Sequence, residues 1–167
     1  MAITLRGRRT PCSPRLCEKD CMPAIFLMPH TVIREDIDVL GHANNLSYLK
    51  WMLRAALDHS AAQGWSGEAY RTLGSGWVVR AHQIEYQQQA FEGDQIVVRT
   101  WVANLKKVTS LRRYEIFRTT SDHKEIRLAT ASTDWAFIDY KSGMPKRIPP
   151  EIATAFEIVA DLPGSSG

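Results

Sequence analysis

Residues 46–63, LSYLKWMLRAALDHSAAQ, decide the fold. The stretch contains no Pro or Gly; Asn44 and Asn45 stand before it as helix caps, and Gly64 supplies a stop behind it. It predicts one helix of about five turns. Ser47, Lys50, Arg54 and Asp58 recur at steps of three or four and form a narrow polar stripe. Leu46, Tyr48, Leu49, Trp51, Met52, Leu53, Ala55, Ala56 and Leu57 fill nearly all the rest. A helix apolar around most of its circumference must be enclosed by something large.

The partner is sheet, because the chain downstream reads as strands. Residues 77–86 and 95–105 are separated by the turn Glu92-Gly93-Asp94, and 108–120 and 125–139 by Ser121-Asp122-His123-Lys124. Lys106-Lys107 sit between the second and third of these strands, and Lys141-Ser142-Gly143 closes the last. Upstream, residues 25–34 are rich in Ile, Phe, Val and Thr with Pro29 among them, which predicts a strand that is broken or at an edge. Residues 149–160 begin with prolines and repeat apolar residues at Ile152, Phe156 and Val159, the pattern of a short amphipathic helix. One long helix after the first strand, followed by antiparallel strands, predicts an α+β fold in which a curved sheet wraps a central helix.

A chain of 167 residues is the size of one domain, and its composition, 44% hydrophobic and 23% charged, is that of a globular protein rather than a collagen, coiled coil or disulfide framework. No run of about 18 apolar residues is present to span a membrane. The formal charge of +3 is concentrated in residues 1–21, where five basic residues meet two acidic ones, so the remainder is balanced. A balanced body lacks the basic face that nucleic acid requires. Cys12, Cys17 and Cys21 all fall in the same segment, leaving the body without a thiol nucleophile or a Cys-based metal site. Residues 1–21 read as a disordered basic extension, with Met22 a candidate start, and 22–167 as the folded domain. Neither metal nor cofactor is expected, and the expected location is cytoplasmic.

Between first strand and helix lies Asp36-Ile37-Asp38-Val39-Leu40-Gly41-His42-Ala43-Asn44-Asn45, with Tyr48 three residues on. This stretch resembles the D-x-D-x-x-G-H-x-N-N-x-x-Y signature of the 4-hydroxybenzoyl-CoA thioesterase family of hotdog-fold enzymes. The later Phe91-Glu92-Gly93-Asp94 resembles the family's Gly-Asp turn. The resemblance spans roughly residues 24–150. It implies hydrolysis of an acyl thioester, with Asp38 as the carboxylate that attacks the carbonyl or activates water, and the backbone N–H of Asn45 polarising the carbonyl oxygen. The first N–H groups of a helix lack internal partners and carry the positive end of its dipole, which suits a developing oxyanion.

Other members of the motif have plainer readings beside the catalytic one. Asp38 also reads as a loop acid capping the helix or pairing with Arg34. His42 reads as a general base or as a turn residue, Gly41 as a backbone conformation, Asn44 as a cap, and Tyr48 with Trp51 as core or substrate pocket. Lys106, Lys107 and Ser110 resemble the family's nucleotide-binding edge near a subunit interface, where lysines would bind CoA phosphates as point charges. Arg112 and Arg113 belong to the same question.

Two departures stand out. Leu53 occupies a helix position where many relatives carry Glu, and Ala90 one where relatives often have Pro. Trp135 to Ile138 and Lys146 to Pro149 also resemble acyl-ACP thioesterases, so the implied substrate is acyl-CoA or acyl-ACP. The alternative is a non-catalytic acyl-CoA-binding protein. The family places its sites between subunits and a lone sheet leaves long edges, so a homodimer or homotetramer is expected.

Overall fold

The computed structural model describes residues 24–160, so the expected disordered arm at 1–21 and its cysteines lie outside the described residues. Strand β1 (Phe26–Thr31) is followed by a single 3-10 turn (Arg34–Asp36), helix α1 (Asn45–Ala62) and a short helix α2 (Gly67–Leu73). Strands β2 (Ser75–Tyr86), β3 (Gln95–Leu105), β4 (Thr109–Thr119) and β5 (Glu125–Asp139) follow, then one turn of helix, α3 (Pro150–Ala153). All pairings are antiparallel, in the order β1-β3-β4-β5-β2. Pro29 pairs opposite Val97 in an edge strand, the one sheet location where a missing N–H leaves no gap in the ladder.

The sheet curves because β2, β3 and β5 each carry a register shift, with Arg80 of β2, Ala103 of β3 and Leu128 of β5 left without a partner in the ladder. Such irregularities bend a strand and sharpen its twist. The concave face holds α1. Met52 and Ala55 are fully buried against Ile96, Val98, Tyr114, Ile116 and Leu128. A second cluster gathers Tyr70 of α2, Val102, Phe137, Ile148, Ile152 and Phe156 at the other end of the sheet.

Three local expectations need correction. The polar stripe of α1 is displaced, because Ser47 is fully buried and donates to the Asp36 carbonyl at 3.1 Å, while Leu46 and Leu57 are exposed. α2 was not anticipated. It is fixed by Ser66, which caps Ala69 N–H, and by Gly74 in the left-handed region at φ +67°. The C-terminal helix stops at Ala153 instead of running to 160, since Ile158 and Val159 bond in extended form to Val102 of β3.

Candidate active site

The loop from Asp36 to Asn44 is a small hairpin closed on itself. Asp38 N–H donates to the His42 carbonyl at 3.0 Å, Gly41 N–H donates to the Asp38 carbonyl at 3.1 Å, and Ile37 bridges Ala43. Gly41 sits at φ +83°, a backbone conformation that a side chain would strain, although a Cβ there would meet nothing within 4 Å. Its role is therefore conformational. The two aspartates of the motif are separated by environment. Asp36 is buried, and its Oδ2 accepts from Ile33 N–H at 3.2 Å and lies 3.1 Å from His30 Nε2. Burial pushes its carboxyl up, but the bonds from His30 and the Ile33 N–H outweigh that and hold it below the ordinary value. Asp38 is more open, at 28% side-chain exposure, with Oδ1 accepting from Leu40 N–H at 2.8 Å and Oδ2 4.0 Å from His42 Nδ1. The first Asp braces the loop and the second remains available.

Helix α1 begins beside this loop. Asn44 is its N-cap, accepting from Ser47 N–H at 2.9 Å through its side chain, so the cap reading of Asn44 holds. Asn45 is the first helical residue, where an N–H has no earlier turn to bond to. His42, Asn45 and Tyr48 line one open crevice of about 660 Å3, with Tyr86, Phe91 and Arg118. Asp38 does not line it and approaches through His42. Tyr48 serves both readings: its ring packs on Trp51 and Tyr86, and its hydroxyl donates to the Gln88 carbonyl at 3.2 Å. Burial pushes its phenol up, which keeps the proton in place.

Arg118 is the crevice residue that the sequence reading missed. Its Nη1 donates to Asp94 Oδ2 at 3.0 Å, and the same carboxylate oxygen accepts from Phe91 N–H. The Gly93-Asp94 turn thus anchors a cation at the crevice. The signal was faint, since Arg118 ends a strand in which Arg112 and Arg113 are equally basic.

Comparison with known proteins rests on most of this architecture. A model of the thioesterase-like superfamily matches residues 32–156. The chain belongs to that superfamily. A comparison with curated proteins finds no match. Among solved structures, a Lactobacillus plantarum protein provisionally named an oleoyl thioesterase is 20% identical, with a TM-score of 0.73 over 83% of this chain and 54% of that one. This chain therefore spans about half the length of that protein. A DHNA-CoA thioesterase from Staphylococcus aureus is 22% identical, with a TM-score of 0.71 over 78% and 87% of the two chains. A second S. aureus protein, SAV2348, solved in complex with CoA, is 14% identical with a TM-score of 0.74 over 84% and 90%. At these identities the likeness shows the hotdog fold, a helix wrapped by a curved antiparallel sheet.

In this superfamily member the other candidate residues lie far from the Asp38 loop. Lys106 and Lys107 form the β3–β4 hairpin, the opposite end of β3 from Gln95, which adjoins the loop end of β1. Eleven residues of strand separate the two ends, roughly 35 Å. Ser110 is buried, and its hydroxyl donates to the Asn104 carbonyl at 3.2 Å. Arg112 is buried too, on the concave face, which removes it from the candidates for a surface phosphate contact. Among the described residues no group of three or more His, Cys, Asp or Glu is placed to hold a metal ion, and no helix is long and apolar enough to cross a membrane.

Proposed function

We propose that the protein hydrolyses an acyl-CoA thioester to the free acid and CoA. The observation that carries this reading is the loop that holds the open carboxylate of Asp38 behind His42, beside the first turn of α1. A thioester carbonyl seated where the crevice meets the Asp38 loop would direct its oxygen to Asn45 N–H, where the helix dipole stabilises the oxyanion. Asp38 takes a proton from water as the oxygen attacks the carbonyl carbon, or attacks it directly and is released by water in a second step. In either course the C–S bond breaks and the sulfur leaves as thiolate, a good leaving group that needs little acid assistance.

The CoA end of the substrate calls for a second copy. Among the described residues β2 is an edge strand with an unpaired long side, and Val78, Val79 and Tyr86 on it are exposed, as are Leu46 and Leu57 on α1. Its Tyr86 end reaches Asn45, whose carbonyl lies 3.5 Å from the Tyr86 hydroxyl, and its Ser75 end pairs with β5 beside the lysine hairpin. Two β2 edges joined antiparallel about a two-fold axis bring the lysine end of one chain towards the Asn45 end of the other. The site then takes Asp38 from one chain and Lys106 with Lys107 from its partner.

Asp38→Asn tests the chemistry, because it keeps size and hydrogen bonding while removing charge and basicity. Turnover of the best thioester should fall about 100-fold or more with the melting temperature nearly unchanged. A folded variant keeping more than about a tenth of wild-type kcat overturns the role of Asp38. Parallel assays on acyl-CoA and acyl-ACP separate the two carriers, and tight acyl-CoA binding without turnover overturns the enzymatic reading.

A further inference from the structure

A second cavity, of about 150 Å3, lies beside the C-terminal half of α1. Its walls include Ala56 and Ser60 of α1, Tyr70 of α2, Trp77 of β2, Arg112 of β4 and Phe156. A cavity of this size holds one benzene-sized guest. Most of its polar groups are already paired within the protein. Trp77 Nε1 donates to the Tyr70 hydroxyl at 3.0 Å, that hydroxyl lies 3.1 Å from Ser60 Oγ, and Ser60 Oγ donates to the Trp65 carbonyl at 2.8 Å.

Arg112 is the exception. It is 6% exposed on the concave face of the sheet, and its Nη1 donates to His59 Nδ1 at 2.9 Å and to Thr100 Oγ1 at 3.2 Å. Neither partner is an anion. No carboxylate pairs with Arg112 among the described residues; both of these hydrogen bonds run from Nη1, and the Phe156 ring faces the guanidinium 5.9 Å from its Cζ. A desolvated cation without a counter-charge is strongly unfavourable unless something compensates it. The Nε and Nη2 edge of a guanidinium is also a side-on fork that matches both oxygens of a carboxylate.

We propose that this cavity binds a small monocarboxylate about the size of benzoate or hexanoate, its carboxylate on Arg112 and its apolar body against Trp77 and Phe156. A single cation in an apolar enclosure fits one negative charge on a hydrophobic body. A phosphate, with more charge and more acceptors, would be left largely unpaired. The site is separate from the crevice at Asn45, with which it shares no lining residue.

Calorimetric titration of the full chain with benzoate and hexanoate, against benzamide and hexanol as uncharged matches, tests the proposal. The acids should bind one per chain and at least about tenfold more tightly than the uncharged compounds, the usual value of a charge-assisted pair over a neutral one. Arg112→Met should lose that preference, while its ligand-free melting temperature holds or rises because a buried cation with no counter-charge has been removed. Should Arg112→Met not fold, Arg112→Lys keeps the charge without the fork and should bind the acids at least about tenfold more weakly. Three results overturn the proposal: no acid binding at millimolar concentration, equal affinity for acid and amide, or an acid preference that survives Arg112→Met, with undiminished acid affinity in Arg112→Lys taking the place of the last where Arg112→Met does not fold. The titration reads binding without turnover, so its failure leaves the thioesterase reading intact, and loss of turnover in Asp38→Asn leaves this one intact.

Discussion

His59 shows how a single side chain can be set by its surroundings. It is buried between Phe26, stacked at 5.4 Å, and Phe156, edge-on at 5.4 Å, with the Arg112 guanidinium on its Nδ1. Burial, and secondly the charge of Arg112, hold its pKa down at about 4 from 6.5. The ring is therefore neutral in the folded chain and free to accept from Arg112. Between pH 6.5 and about 4 the unfolded chain binds a proton that the folded chain refuses, so stability is complete above 6.5 and declines as the pH falls through this window. The decline attributable to His59 is about 3 kcal/mol. Urea unfolding of wild type and His59→Gln at pH 7 and pH 4.5 should show the larger pH-dependent loss in wild type, and parallel losses in the two would remove His59 as the cause. Nothing in the sequence marked this residue, because a histidine late in an apolar helix carries no sign of the arginine that the sheet brings to it.

At the scale of the element, helix α1 and the long strands were legible because each follows a period that only one structure satisfies. The helix has its 3.6-residue spacing bounded by Asn44 and Gly64, and the strands have β-branched alternation broken by Gly-Asp and Ser-Asp turns. What escaped was decided by tertiary contacts. Ser47 reads as surface, yet it faces inward because Asp36 turns its carbonyl towards the helix start. In the pair Arg112-Arg113 strand alternation requires one arginine to face the concave side, and only the fold reveals that it is Arg112. The seven-residue α2 is too short for periodicity and depends on its Ser66 and Gly74 caps. The motif itself was legible in order but not in division of labour. The cap role of Asn44 gives a direct check: Asn44→Ala should destabilise the fold by about 1 kcal/mol, Asn44→Asp should retain most of that, and Asn45→Ala should change little. Denaturant midpoints for the three variants measure it, and equal losses in Asn44→Ala and Asn45→Ala would contradict the assignment.

For the whole molecule, the issue is that one chain cannot bring its own candidate residues together. The Asp38 loop and the Lys106-Lys107 hairpin stand at opposite ends of β3, while β2, the strand whose ends mark those same two places, has an edge that no other described residue pairs with. Such an edge invites pairing with a second copy. Light scattering should therefore give a dimer or a tetramer of dimers, and a stable monomer at micromolar concentration would refute this assembly. Subunit mixing asks the sharper question. In a dimer formed from one Asp38→Asn chain and one chain carrying Lys106→Ala and Lys107→Ala, a shared arrangement puts both defects in one site and neither in the other. Each homodimer is impaired at both of its sites. Unfolding and refolding an equal mixture yields heterodimers in half the population, each with one intact site, so subsaturating turnover should recover to roughly a quarter of wild type. If each chain supplied its own lysines, every site in every species would carry one defect, and the mixture would show no more activity than the average of its parents.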